Sequence, residues 1–332
     1  MMRTGRIFLV LSAILMFAHP PAFADGMTDI ATAQAAQDQG RIDEAIRLYT
    51  QALSAGGLKD EQLAFAHNCR GIAYKDRRDY ALAVKDFDAA ISLKADYAEA
   101  YNNRGIVLRE GGRFQEAIAD YTTAIRLKPD FAEAYSNRGN AFRSNRQIDR
   151  AMEDYASAIR INPAYPEVYN NRGNAYADRG KYAEAVADYG TAIHLRPDFP
   201  DAYFNRGSAE AEARRMDLAI ADFTDAIRLK PKFPEAWFNR GNAHAAIGQY
   251  DQAIADYDVA LQQRPDYPEA FYNRAMISHL KQGPLEASIG LGNAIAPFAA
   301  AADGGLRLGP SDTIARKLKP NAGRRDSPLV RR

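Results

Sequence analysis

The chain has 332 residues, 47% of them hydrophobic and 26% charged, which is enough to bury a sizeable core. Its 43 lysines and arginines against 42 aspartates and glutamates leave a formal charge of +1, so no global field calls for nucleic acid or acidic lipid as a partner. A single cysteine, Cys69, excludes an intramolecular disulfide, and the five histidines, His19, His67, His194, His244 and His279, are too scattered to form a metal-ligand set.

The chain opens with a short basic segment, residues 1–6, followed by an apolar run at 7–18 and by the small residues Ala22 and Ala24. This order predicts a cleavable secretory signal over residues 1–24, with cleavage after Ala24 and a periplasmic or secreted mature chain beginning at Asp25. Twelve helical residues reach roughly 18 Å, short of the about 30 Å of a bilayer core, so no integral span is expected after cleavage.

Next comes a repeat. Asn-Arg-Gly recurs at Asn103, Asn137, Asn171, Asn205 and Asn239, always 34 residues apart, and Asn273-Arg274-Ala275 continues the register. The expected units are 26–59, 64–97, 98–131, 132–165, 166–199, 200–233, 234–267 and a degenerate 268–298, with an extra 60–63 outside the register. Counting each unit from its first residue, positions 20 and 27 are alanine in all eight, and position 8 is glycine or alanine. Position 24 is aromatic in seven, from Tyr49 to Tyr257. Large side chains thus face small ones across two close helices. Proline at position 32, as in Pro129 and Pro163, stops the second helix, and Gly112, Gly180 and Gly248 at position 15 mark the turn between the two. Each unit therefore predicts helix, turn, helix, and the fold class is an all-α solenoid of about eight units.

With small residues at 8, 20 and 27, aromatic ones at 4 and 24, proline at 32 and a period of 34, the chain resembles the tetratricopeptide repeat family. The resemblance implies a right-handed superhelix whose concave groove binds an extended peptide or a partner helix, without catalysis and without a cofactor. Family members that hold a C-terminal carboxylate do so with a lysine at position 5, which units 98–131 through 268–298 all lack.

At about 100° per residue, positions 4, 8 and 11 of the first helix form one packing stripe, and positions 2, 6, 9 and 13 point away from it. The outward stripe carries a ladder of amides at Asn103, Asn137, Asn171, Asn205, Asn239 and Asn273, with Asn140, Asn174 and Asn242 at position 9. Primary amides offer donors and acceptors together, the complement of an extended backbone, although the same residues could instead bond a neighbouring helix. Position 5, on the rim of the stripe, changes from Asn102, Ser136 and Asn170 to Phe204, Phe238 and Tyr272, which are expected to hold a partner's apolar side chains. Position 12 changes from Lys75, Arg109 and Arg143 to Ala177, Ala211 and Ala245. Arginine fills position 7 from Arg70 to Arg274 and aspartate fills position 23 from Asp86 to Asp256, which predicts a structural ion-pair ladder. The spacing leaves open whether the pairs form within units or between them.

Residues 299–332, with eight basic and three acidic groups and no pattern, read as a disordered basic tail. No phosphate loop, H-E-x-x-H or G-x-S-x-G occurs, and no stretch remains for a catalytic domain. The expected function is a non-enzymatic exported scaffold that binds a protein or peptide partner. The alternative is a cell-envelope carbohydrate (peptidoglycan) binder, and a third reading is self-association, with the tail of one copy in the groove of another.

Overall fold

The computed structural model describes residues 21–282, and side chains from 26 to 281. Most of the expected signal, the second helix of the last unit and the tail lie outside the described residues, as do Pro284, Leu291 and Ala294.

The described residues form fifteen α-helices and no strand. The chain divides between Arg146 and Gln147 into two compact bodies. The first holds α1 (Pro21–Asp38), α2 (Ile42–Ala55), α3 (Asp60–Asp76), α4 (Tyr80–Leu93), α5 (Ala98–Glu110), α6 (Phe114–Leu127) and α7 (Ala132–Ser144). The second holds α8 (Ile148–Ile161), α9 (Pro166–Asp178), α10 (Tyr182–Leu195), α11 (Pro200–Glu212), α12 (Met216–Leu229), α13 (Pro234–Ala246), α14 (Tyr250–Gln263) and α15 (Pro268–Gln282). Within each body the helices pair as the repeat predicts, α3 with α4 or α11 with α12, and each pair packs on the next.

Local chemistry sets the helix limits. Pro166, Pro200 and Pro234 occupy the first helical position, where the missing N–H costs nothing. The first helices α1, α3, α5, α7, α9, α11 and α13 each end on a residue with positive φ. At Gly112 (φ 75°) the Gly112 N–H donates to the Arg109 carbonyl and the Arg113 N–H to the Leu108 carbonyl, closing the helix and turning the chain. The same turn is made at Arg78 (φ 67°), Arg146 (φ 58°) and Arg214 (φ 65°), three arginines in the left-handed region that alternate with glycine from unit to unit. Each such arginine carries about 1–2 kcal/mol of backbone strain that glycine would avoid.

Two features depart from the expected boundaries. Residues 60–63 are the first turn of α3, which is therefore 17 residues long, its start fixed by the Gln62 side chain accepting the Lys59 N–H at 2.9 Å. Helix α1 begins four residues ahead of the expected Asp25 start of the mature chain. In the first pair, Leu48 stands where later units carry aspartate and joins the core, while Thr32, in the arginine position, bonds its own helix backbone.

The core repeats one contact. The alanines at positions 20 and 27, such as Ala117, Ala124, Ala185 and Ala192, have no exposed surface. The position-24 ring lies flat against the position-8 glycine. A Cβ on Gly173 would stand 2.6 Å from Tyr189 Cε1, one on Gly105 2.7 Å from Tyr121 Cε1, and one on Gly71 2.7 Å from Phe87 Cε1. No side chain fits there without moving a fully buried ring. Gly173→Ala should therefore cost about 1–3 kcal/mol by overpacking, despite alanine's better helix propensity, which thermal or urea unfolding would measure.

Candidate binding face of the first helices

The ion-pair ladder forms within units. Arg172 donates from Nε and Nη2 to the two carboxylate oxygens of Asp188 at 2.7 and 2.8 Å, and the same fork joins Arg70 to Asp86, Arg104 to Asp120, Arg206 to Asp222 and Arg240 to Asp256. The aspartates are buried and the arginines partly so. Burial alone would push the Asp86 carboxyl up, but Arg70 and His67, whose Nδ1 lies 2.9 Å away, hold it below its ordinary value. Its stabilisation is therefore full above about pH 4 and fades as pH falls through the depressed value. Arg274 pairs with Asp258 of the preceding unit instead.

Asp258 points to a contact that the sequence analysis missed. Position 25 of one unit receives the free Nη1 of the next unit's arginine: Thr50 from Arg70, Asp88 from Arg104, Thr122 from Arg138 and Thr224 from Arg240. Arg70, Arg104 and Arg240 thus tie their own two helices together and then reach back to the unit before. Ala156 and Gly190 at this position offer no side-chain acceptor. The aromatic residue at position 4 lies under the guanidinium, as with Tyr169 under Arg172 at 5.6 Å and Trp237 under Arg240 at 4.7 Å.

The outward amides are largely engaged. Asn103 donates to Asn68 Oδ1 at 3.0 Å, Asn137 to Asn102 Oδ1 at 3.0 Å and Asn205 to Asn170 Oδ1 at 2.9 Å, so that position 6 bonds position 5 of the preceding unit. Asn174 and Asn242 accept the hydroxyls of Tyr189 and Tyr257 at 2.7 and 2.8 Å, and Asn242 also accepts from Asn273 at 2.8 Å. Asn140 has a partner as well. Asn171 and Asn239 have none among the described residues; both are half-buried on their helices. Cys69 takes the amide's place in α3, where burial pushes its thiol up to about 11.

Position 5 corrects the expectation of a groove rim. Asn102 and Ser136 are each 2% exposed and Asn170 is buried, and the next unit's first helix covers Asn102 and Asn170. Phe204 packs against Phe233 and Phe223 at centroid distances of 4.9 and 5.8 Å, and Phe238 against Tyr267 and Tyr257 at 4.8 and 5.9 Å. Both rings fill core space between units and are half-buried; Tyr272 alone of the three is exposed. The outward acids at position 2 are engaged too: Glu99 pairs with Lys128 at 3.0 Å and Glu235 with Arg264 at 2.7 Å. Those cations sit over Phe131 at 4.7 Å and Tyr267 at 3.5 Å. Among the described residues no group of His, Cys, Asp and Glu is placed to hold a metal, and no helix is long and apolar enough to cross a membrane.

This architecture defines a class, and the comparisons agree with it. A family model described as TPR repeat matches residues 105–146, 139–178, 173–212 and 241–283, and two described as tetratricopeptide repeat match 200–233 and 223–255. Together they span residues 105–283, more than half of the sequence, and the chain belongs to the tetratricopeptide repeat family. Its fold is similar to that of a tetratricopeptide repeat protein from Parabacteroides merdae, at 16% identity and a TM-score of 0.60 over 77% of this chain and 99% of that one. It is also similar to a chain of the APC/C hetero-tetramer Cut9–Hcn1, at 18% and 0.58 over 88% and 55%. A third similar structure is the C-terminal part of a TPR repeat-containing protein from Cytophaga hutchinsonii, at 19% and 0.53 over 73% and 98%. No curated protein matches the sequence.

Two expected outcomes follow from these contacts. Arg172→Leu strands the buried Asp188 carboxylate and should cost about 2–4 kcal/mol, whereas combining it with Asp188→Leu should restore a large part of the loss, a coupling that a double-mutant cycle in urea reads directly. Asn205→Ala orphans the buried Asn170 and should cost about 1–2 kcal/mol, while Asn239→Ala, with no partner to strand, should stay within about 0.5 kcal/mol of the parent in the same assay.

Proposed function

We propose that the chain is an exported, non-enzymatic scaffold whose first-helix face binds a partner protein or an extended segment of one. Tetratricopeptide repeat proteins generally mediate protein–protein interactions, which supports the class of partner. The observation that carries the reading is the pair of amides at Asn171 on α9 and Asn239 on α13. They stand in a row whose other members bond within the chain, yet they offer two donors and an acceptor each to a ligand. An extended backbone, with its alternating N–H and C=O groups, is the simplest complement. Export rests on the basic, apolar and small-residue order of residues 1–24.

The test is affinity co-purification from the envelope fraction of the native host, with the parent chain beside the Asn171→Ala, Asn239→Ala double variant. A partner recovered by the parent and depleted several-fold with a variant of unchanged melting temperature supports the reading. Equal recovery would remove the amides from the binding face, and retention on protease-treated peptidoglycan would replace the protein partner with a carbohydrate one. Intact mass beginning at Asp25 is the expected result for export.

A further inference from the structure

The turns between the two helices of a unit are of two kinds. Where position 15 is Gly40, Gly112 or Gly180, position 19 is an acid, and Glu44, Glu116 and Glu184 each pair with the cation at position 16 of their own turn. Where position 15 is a left-handed arginine, at Arg78, Arg146 and Arg214, position 19 is Leu82, Arg150 and Leu218 instead. The three arginines are exposed, and among the described residues their side chains make no ion pair. Glycine makes the same turn in neighbouring units without strain, so the fold itself does not call for arginine there. Leu82 and Leu218 are 43% and 52% exposed, more than any other large apolar side chain described.

In the first body this turn stands among cations. Leu82 and Lys85, three residues apart, share the outward face at the start of α4, and Arg47 holds in α2 the repeat position that Lys85 holds in α4. Arg47, Arg78 and Lys85 are exposed and form no ion pair among the described residues. The nearby acids are all engaged: Asp43 and Asp79 by Arg77 at 2.8 and 2.6 Å, Asp88 by Arg104 at 2.6 Å, and Glu44 by Arg41. In the second body Arg214 instead lies in sequence between Glu212 and Asp217, which are exposed and unpaired among the described residues. The cationic excess beside an exposed leucine is therefore a feature of the first body.

We propose that the α3–α4 turn docks the chain on an anionic lipid surface, with Arg78, Lys85 and Arg47 meeting headgroup phosphates and Leu82 entering below them. Unpaired cations around one exposed leucine are the pattern of side chains that settle at a membrane interface, the charges at the headgroups and the apolar group beneath. A lipid surface yields to a projecting leucine, whereas a rigid acidic protein would need a hole shaped for it. The strained arginine then has a reason that glycine could not meet, since only a side chain at the tip of the turn brings charge to a surface. This contact lies on the turn and the second helices, apart from the first-helix amides, and its test does not depend on them.

The experiment is co-sedimentation of the chain from Asp25 onward, the form expected after export, with vesicles of equal parts phosphatidylglycerol and phosphatidylcholine, and with phosphatidylcholine alone. Parent and variants share the basic tail, so their difference reads the turn. Arg78→Gly should weaken binding to the anionic vesicles about fivefold, the worth of one cation near such a surface. Arg78→Gly with Leu82→Glu, which gives this turn the residues of its neighbours, should weaken it at least about tenfold. Because glycine relieves the strain, Arg78→Gly should melt no lower than the parent. A Leu82→Cys chain carrying an environment-sensitive fluorophore should shift its emission to the blue with the anionic vesicles and not with the neutral ones; Cys69 is buried, with its thiol pushed up to about 11, and stays unlabelled. Equal binding by parent and double variant, an unmoved emission at position 82, or a lower melting temperature in Arg78→Gly would overturn the proposal. A response at position 82 to soluble polyglutamate but not to vesicles would replace the lipid with an acidic protein segment.

Discussion

The flat seating of the position-24 ring on the position-8 glycine sets the distance between the two helices of a unit, and its neighbours in sequence inherit their geometry from it. Ring carbons lie where a glycine Cβ would stand 2.6 to 3.0 Å away, so the helices meet at the closest approach their backbones permit. Position 7 precedes the glycine and position 23 precedes the ring. At that separation the arginine and aspartate reach bidentate contact, as Arg104 and Asp120 do. Position 9 follows the glycine and meets the far end of the ring, where Asn174 and Asn242 accept the tyrosine hydroxyl. One steric fact therefore organises all three contacts in the units at 166–199 and 234–267.

The contacts differ in what they contribute. Burying each ring yields roughly 1.5–3 kcal/mol of hydrophobic stabilisation, whereas an intact, partly buried ion pair lies close to break-even against an apolar replacement. The ladder's larger effect is on register, because a displaced unit would leave a buried aspartate such as Asp188 or Asp256 facing no cation. The third arm of each arginine, reaching Thr50, Asp88, Thr122 or Thr224, carries that register into the unit before. A repeat array is stabilised by such nearest-neighbour terms. At Ala156 and Gly190 the side-chain link is missing.

The helix pairs, their small and large core positions and the existence of an ion-pair ladder were legible because identity recurs every 34 residues, and periodicity survives any uncertainty about a single site. The pairing register was not legible, since an arginine at position 7 has an aspartate at position 23 on either side of it in sequence. Position 5 was misread for a different reason. A helical wheel treats each helix alone, and on it Asn102 and Phe204 lie beside the outward stripe, but the following unit's helix packs over that flank and buries them. The left-handed arginines at 78, 146 and 214 were also invisible: glycine at position 15 announces a turn, while arginine in the same place is disfavoured by the backbone conformation it adopts. The start of α3 at Asp60 fell outside the register because residues 60–63 have no counterpart in other units.

The burial of position 5 changes what its drift from amide to ring means. An asparagine there serves the next unit's position 6, as Asn170 serves Asn205. A phenylalanine there fills the core between units and removes that acceptor at the same time. Phe204 thus leaves Asn239 without a partner, while after Phe238 the amide of Asn273 turns to Asn242 instead. The substitution that strengthens apolar packing beneath the face is therefore the one that frees a polar group upon it. Asn239 is thus opened by the residue one unit earlier rather than by its own identity, while Asn205 at the same position stays bonded, and a uniform ladder in the sequence becomes a selective one in the fold.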